Sequence, residues 1–249
     1  MEVRQAANVL ELIEWFSRHG RPATLAEISD ALGWPRSSGF NLIGTLVDRG
    51  YLYEPRARGA YFPTSRWSAV TESFSIADPL PAEFEAVVSG LRDDSGETAA
   101  IAVPAGTAAL YRYVAEAHAP IRYSAVVGRR HPIQATSSGR ALLAQYEPKE
   151  RSSLYRKIEF AKFGELTPLD AATVEARIAA EVAQGFHVSN DEFSPDLLGV
   201  SVSLPVADRK MALTIGGPRY RCLPRVAVFA EMLAQAAAKL SEQRLTERS

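Results

Sequence analysis

TLAEISDALGWPRSSGFNLIGTLVDRGYLYEPRARGAYFPT, residues 24–64, is the stretch whose reading decides the fold. Thr24 followed by Glu27 forms a capping box, opening a helix with Leu25, Ile28 and Leu32 on one side. Gly33 ends that helix after about two turns. Pro35 suits the first position of another helix, in which Phe40, Ile43, Leu46 and Val47 make an apolar face before Gly50 closes it. YLYEPRARGAYFPT then predicts two short aromatic-rich strands around Pro55–Gly59, a hairpin. Upstream, Ala6, Leu10, Ile13 and Phe16 recur at helical spacing, and Gly20 and Pro22 stop that helix. Three short helices and a hairpin, with a turn of three or four residues before the third helix, predict a winged helix-turn-helix.

Such a domain lays its third helix in the major groove, with the N-terminal residues nearest the base edges. Here those residues are Arg36, Ser37, Ser38, Gly39, Phe40 and Asn41. Arginine and serine can reach phosphates, and asparagine can pair with adenine in a bidentate way. Arg56 and Arg58 stand at the hairpin tip, where a wing reaches the backbone or the minor groove. From Gly33 to Arg66 five arginines stand against Asp48 and Glu54, a net of +3, although the whole chain carries −1. Double-stranded DNA is therefore a partner argued from local charge. Tri-helical bundles with a hairpin also serve as protein-interaction modules, and that alternative stays open.

Composition sets wider bounds. The 249 residues, 47% hydrophobic, can hold one large domain or two ordinary ones. A single cysteine, Cys222, excludes an intramolecular disulfide and a cysteine-rich zinc finger, and fits a reducing cytosol. MEVRQAANVLELIEWF lacks the apolar centre of a signal peptide, and no apolar run approaches a membrane span, so a cytoplasmic protein is expected. From Ser68 to Leu80 periodicity weakens, and Pro79 and Pro81 bracket a boundary placed near residue 75. That gives residues 1–75 to the DNA-binding domain and 76–249 to a connecting helix and a second domain. The connecting helix covers Ala82–Leu91 and has a face suited to packing, including against its copy in a second chain.

The remaining two thirds predict an α+β domain. Strands are expected at Ala99–Val103, Ala109–Val114, Phe186–Ser189, Gly199–Val206 and Lys210–Ile215. Helices are expected from about Ser138 to Pro148, at Lys149–Ile158, at Val174–Gln184 and at Arg225–Glu242. Asp170 should cap the third of these and Gly185 should end it.

Five segments in order, RSSGFNLIGTLVDRGYL, GETAAIAVPAG, IRYSAVVGRRHPIQATSSGRALLAQ, EVAQGFHVSNDEFSPDLLGVSVSLPV and ALTIGGPRYR, resemble successive signatures of the IclR family of bacterial transcriptional regulators. The resemblance covers nearly the whole chain. It implies a winged-helix reader, a connecting helix and a GAF-like mixed α/β domain that binds a small effector. Members typically pair as homodimers or homotetramers and control operons for carbon-source or aromatic-compound catabolism.

The resemblance also implies effector-binding positions. The arginine strand supplies Arg122 and Tyr123, and the TSSG turn supplies Ser137 and Ser138 at a helix start suited to a carboxylate. The acidic stretch supplies Asp191, and the late strands supply Val202, Thr214 and Gly216. Departures are visible too. Asn41 stands where the family often has arginine, and Ser38 and Gly39 where it often has threonine and a β-branched residue. The acidic segment is one residue longer, and Gly216 replaces a frequent serine, leaving room for a bulkier or aromatic ligand.

An enzyme is the other alternative. Four histidines (19, 118, 131 and 187) form no metal-binding pair motif, Ser137 has no nucleophile-elbow setting, and no nucleotide-binding glycine motif appears, GGP at 216–218 reading as a turn. No cofactor is expected. A metal site from His187, Asp191, Glu192 and Cys222 is a minor alternative.

Overall fold

A computed structural model describes residues 3–55, 59–77, 79–206 and 209–246. The chain divides into two compact units, Met1–Pro79 and Leu80–Ser249, the division falling a few residues beyond the position expected near 75.

The first unit contains helices α1 (Arg4–His19), α2 (Leu25–Leu32), α3 (Arg36–Asp48) and α4 (Arg66–Ala77). Strands β1 (Ala23–Thr24), β2 (Leu52–Tyr53) and β3 (Ala60–Pro63) form a small antiparallel sheet in the order β1-β3-β2. The capping box is present: the Thr24 amide donates to Glu27 Oε2 at 2.8 Å, and the Glu27 amide donates to Thr24 Oγ1 at 3.3 Å. Gly33 ends α2 with φ 67°, a left-handed conformation glycine adopts without strain. Leu12, Phe16, Ile28, Trp34, Ile43, Leu46 and Leu52 close the core.

Three features depart from expectation. The two-residue strand β1 is too short to carry a periodic signal. The stretch from Ser68, where periodicity weakens, lies within helix α4, because its sequence lacks helix breakers even though it lacks an apolar stripe. Phe40 was placed on the buried face of α3 and is instead 62% exposed. The buried stripe is Gly39, Ile43 and Leu46, at helical spacing, and Phe40 lies about 100° round the helix from it.

The second unit opens with α5 (Ala82–Ser95), followed by β4 (Thr98–Ala105), β5 (Ala108–Ala115) and β6 (Arg130–Pro132). Next come α6 (Ser137–Leu143), α7 (Pro148–Tyr155) and α8 (Ala171–Gln184), then β7 (His187–Asn190), β8 (Leu197–Val206) and β9 (Arg209–Pro218). Short α9 (Arg219–Cys222) and a 3-10 turn lead into α10 (Val226–Thr246). The sheet order is β6-β5-β4-β9-β8-β7, and every described pair is antiparallel. One sheet face buries Val200, Val202, Leu213 and Ile215 against Phe84, Val88 and Leu91 of α5 and Phe229, Leu233 and Leu240 of α10. The connecting helix, whose face was expected to suit packing, including against its copy in a second chain, buries Phe84, Val88 and Leu91 in this unit's own core. The GGP segment is strand rather than turn, with Gly217 required because a Cβ there would run into the Glu97 carboxylate and Cys222. Asp170 caps α8 by accepting the Thr173 amide at 2.7 Å, and Gly185 ends it in the left-handed region.

On the opposite face, α6 rests against β4, β8 and β9. Gly139 lets it do so, since any side chain there would overlap the Ile133 carbonyl. Behind α6 lies Arg140, fully buried. Its guanidinium donates to both Glu181 carboxylate oxygens at 2.8 Å, to Glu192, and to the Val188 and Gln134 carbonyls. Arg177 also pairs with Glu192, and His187 Nδ1 lies 2.8 Å from Glu181 Oε2. Burial raises the Glu192 carboxyl, whereas on Glu181 the hydrogen bonds and charges of His187 and Arg140 outweigh burial and hold it below the usual range. Removing the guanidinium leaves two carboxylates in a low-dielectric interior. Arg140→Met is expected to destabilise this unit by about 3–5 kcal/mol, seen as a lower urea midpoint.

Candidate functional site

Two sites emerge, one in each unit. In the first, Pro35 precedes α3 and Arg36 is its first residue. Arg36, Ser37, Ser38, Phe40 and Asn41 are exposed along one side of the helix. Gly39 is not: a Cβ there would stand 3.0 Å from Ser29 Oγ and 3.2 Å from Leu25 Cδ1. Gly39 therefore sets the close crossing of α2 and α3 and has no surface to offer DNA. Ser38, Asn41 and Thr45 also line a groove of about 470 Å³ with Arg4, Gln5 and Asn8 of α1, residues that reading by motif alone passed over. Arg56 and Arg58 lie outside the described residues.

In the second unit, Tyr111, Tyr123, Thr136, Ser137, Ser138, Ser189 and Thr214 line one small cavity, with Phe193, Leu197, Leu198 and glycines 199 and 216 completing its wall. The strand period explains the assembly. Gly199 and Ser201 on β8 and Thr214 and Gly216 on β9 share the α6 side of the sheet. Ser201 Oγ lies 2.8 Å from both Ser137 Oγ and Thr214 Oγ1, and Thr214 donates to the Val200 carbonyl at 3.1 Å. Gly199 makes the space for this chain, since a Cβ would stand 2.8 Å from Ser137 Oγ. Thr98 Oγ1 donates to the Tyr123 carbonyl at 2.6 Å, fixing that segment to the sheet.

The cavity holds about 20 Å³, room for about one water molecule. Aromatic rings close it. Tyr111 and Tyr123 meet edge to face with centroids 6.5 Å apart, and His131 stands 4.5 Å from Tyr111 and 5.3 Å from Phe193. Burial raises both tyrosines, so they are neutral donors. Burial, then the Arg129 charge, lowers His131 to about 4, leaving a neutral imidazole whose two nitrogens have no hydrogen-bond partner among the described residues. Tyr123, Phe193 and Leu197 also border an outer cleft of about 750 Å³ that contains Arg122, Ser124 and Arg129.

Tyr123, Ser137, Ser138, Thr214 and Gly216 thus converge on the cavity. Three expected residues do not. Val202 points to the opposite face, into the core under α5 and α10. Strand alternation makes Ser201, one residue earlier, the neighbour of Ser137. Asp191 has φ 53°, accepts the Asp196 amide at 2.9 Å and pairs with Arg219 at 3.1 Å. It shapes the loop that carries Phe193, and its longer acidic segment ends in this turn. Arg122 pairs with Glu116 at 3.3 Å on the rim of the outer cleft. The extra room expected at Gly216 is taken by the Tyr123 ring, 3.4 Å from where a Cβ would be. Among the described residues no group of three metal-ligating side chains converges, so His187, Asp191, Glu192 and Cys222 do not assemble into a metal site.

Tyr111, Ser189, Phe193 and Ser201 were missed because they come from four separate segments. Arg140 carried a signal: a lone arginine within the small and apolar run SSGRALLA, with acids available later in the chain.

A helix-turn-helix unit joined to an α/β unit with a hydroxyl-lined pocket is the build of a ligand-responsive transcription regulator. The chain belongs to the IclR family: residues 77–242 match the bacterial transcriptional regulator IclR C-terminal model, and residues 5–56 match the IclR helix-turn-helix domain. It is 25% identical to the HTH-type transcriptional regulator BhcR of Paracoccus denitrificans, covering 95% of this chain and 85% of that protein. It is 24% identical to the transcriptional repressor IclR of Escherichia coli, covering 96% and 89%. Among solved structures, an IclR homolog from Microbacterium hydrocarbonoxydans complexed with 4-hydroxybenzoate has a TM-score of 0.78 at 20% identity, covering 97% of this chain and 99% of that one. The Thermotoga maritima IclR has a TM-score of 0.74 at 15% identity, covering 98% and 99%.

If the Tyr123 ring is what fills the pocket, Tyr123→Ala opens it. The variant is expected to melt several degrees lower than the parent when empty, and to recover more of that loss than the parent gains when benzoate-sized acids are added. Differential scanning fluorimetry checks both shifts.

Proposed function

We propose that the chain binds operator DNA through α3 and the hairpin, as a homodimer or homotetramer, and that a small carboxylic or aromatic acid in the pocket modulates that binding. The operon controlled is one of small-molecule catabolism, and the protein works in the cytoplasm. One observation carries the sensor half: seven hydroxyl-bearing side chains from five segments line a small cavity that shares Tyr123 and Phe193 with a cleft bearing two arginines. Among the described residues no formally charged side chain lines the cavity itself, so a carboxylate placed wholly inside would lose its hydration without a counter-ion. An acid with its ring and any hydroxyl inward, and its carboxylate toward Arg129, keeps both ends satisfied. The 4-hydroxybenzoate held by the Microbacterium hydrocarbonoxydans protein has this two-ended chemistry. Entry requires Phe193 or Tyr123 to move, which ties occupancy to the loop pinned by Asp191 and Glu192.

For the reader half, the exposed polar residues of α3 supply the contacts. Pairing is supported by apolar side chains left outside the first unit's core: Leu10 on α1 and Phe74 and Ile76 on α4. Two readers in one dimer would meet half-sites about one helical turn apart.

Two measurements test this. A thermal-shift screen with aromatic and carboxylic acids is expected to find a ligand that adds about 2.7 kcal/mol at a hundred times its dissociation constant. Gel shifts on the intergenic DNA beside the chain's own gene should weaken steeply with salt, and Arg36→Ala should lower the salt slope by about one. Salt-insensitive or absent binding there overturns the regulator reading.

A further inference from the structure

The chemistry of α3 limits which bases it can read. Between Arg36 and Asp48 the only cation is Arg36 itself, at the helix start. The body of the exposed face is Ser37, Ser38, Phe40, Asn41 and Thr45, with half-buried Gly44 among them and Thr45 Oγ1 donating to the Asn41 carbonyl at 2.8 Å. The commonest specific contact to guanine, a bidentate arginine or lysine on O6 and N7, is therefore missing from the middle of the helix. What stands there is a phenylalanine 62% exposed to solvent, beside an asparagine. A large aromatic on the outside of a helix costs solvation and nothing in the core asks for it, because Gly39, Ile43 and Leu46 already fill the inner stripe. Gly44 lies one turn beyond, with open space where a Cβ would stand, so no neighbour in the fold requires glycine there either. The helix thus offers an apolar ring, an amide and a bare stretch of backbone side by side. An A·T pair presents matching groups on one major-groove edge: adenine N6 and N7 for an amide, and the thymine C5 methyl for an apolar side chain.

We propose that Phe40 is a specificity-determining residue that packs on a thymine methyl, with Asn41 on adenine, so that the operator positions under the middle of α3 are A·T pairs. This rests on the DNA-binding reading above and adds to it which bases are read and by what. Phosphate contacts carry affinity and its salt dependence, whereas Phe40 carries discrimination between bases.

The test uses the full-length protein. Binding sites are selected from a random duplex library, and each thymine of the enriched site is replaced singly by deoxyuridine, which removes only the C5 methyl. The expected site has an A·T core in each half. One deoxyuridine in that core weakens the parent protein about fourfold, the worth of burying one methyl group, and leaves Phe40→Ala unchanged. Phe40→Ala keeps the parent's salt slope, oligomeric state and circular dichroism. A G·C core bound with normal salt sensitivity overturns this inference alone. So does a deoxyuridine penalty of equal size in Phe40→Ala, or a Phe40→Ala that changes oligomeric state with no deoxyuridine penalty in the parent. Failure to enrich any sequence overturns the DNA-binding reading together with it.

Discussion

The Arg140 guanidinium is the point from which the second unit is organised. It sits on α6 and binds Glu181 of α8, Glu192 of the loop after β7, and carbonyls on either side of the pocket. A buried arginine must have its donors satisfied, and this one can be satisfied only where α6, α8 and β7 meet in one arrangement. Such a cluster adds less net stability than apolar packing of the same volume, but it permits few alternatives. Ser137 and Ser138 begin the helix that Arg140 anchors, and Phe193 follows the glutamate that Arg140 holds. The pocket's floor and its cover are therefore fixed by one charge.

That arrangement gives the pocket a divided character. Its interior is neutral and rich in hydroxyls, while its cations stand outside in the cleft. The hydroxyl-lined interior and the arginine-bearing cleft are separate environments that meet at Tyr123, Phe193 and Leu197. Under the proposed sensor role, movement of Tyr123 or Phe193 would be the two-state element through which occupancy is communicated.

In the first unit the helix phase has the same authority. Gly39 looks like a defect in a recognition helix when read as a propensity, at about 1 kcal/mol against alanine. In three dimensions it is the contact that lets α3 cross α2 against Ser29 and Leu25. The same rotation turns Phe40 outward. A pattern reader counting apolar residues assigns Phe40 to the core because it is the largest one available, and the helix geometry assigns it to the surface because position 39 is already inside.

The local signals written into the chain did determine much: the capping box at Thr24, the stops at Gly33 and Gly185, the cap at Asp170, and most strands of the sheet. These depend on residues within a turn or a hairpin of each other, so they are legible in order along the sequence. Of the residues that the family's segments point to, Tyr123, Ser137, Ser138, Thr214 and Gly216 line one cavity. The tertiary structure alone decided the rest. Val202 and Ser201 differ by one residue and by the whole thickness of the sheet, because strand parity is set by pairing with β9. Asp191 became a loop brace once Arg219, far along the chain, supplied its partner. The space at Gly216 went to Tyr123, more than ninety residues away in the sequence, since a void beside an aromatic ring loses contact energy unless the ring fills it.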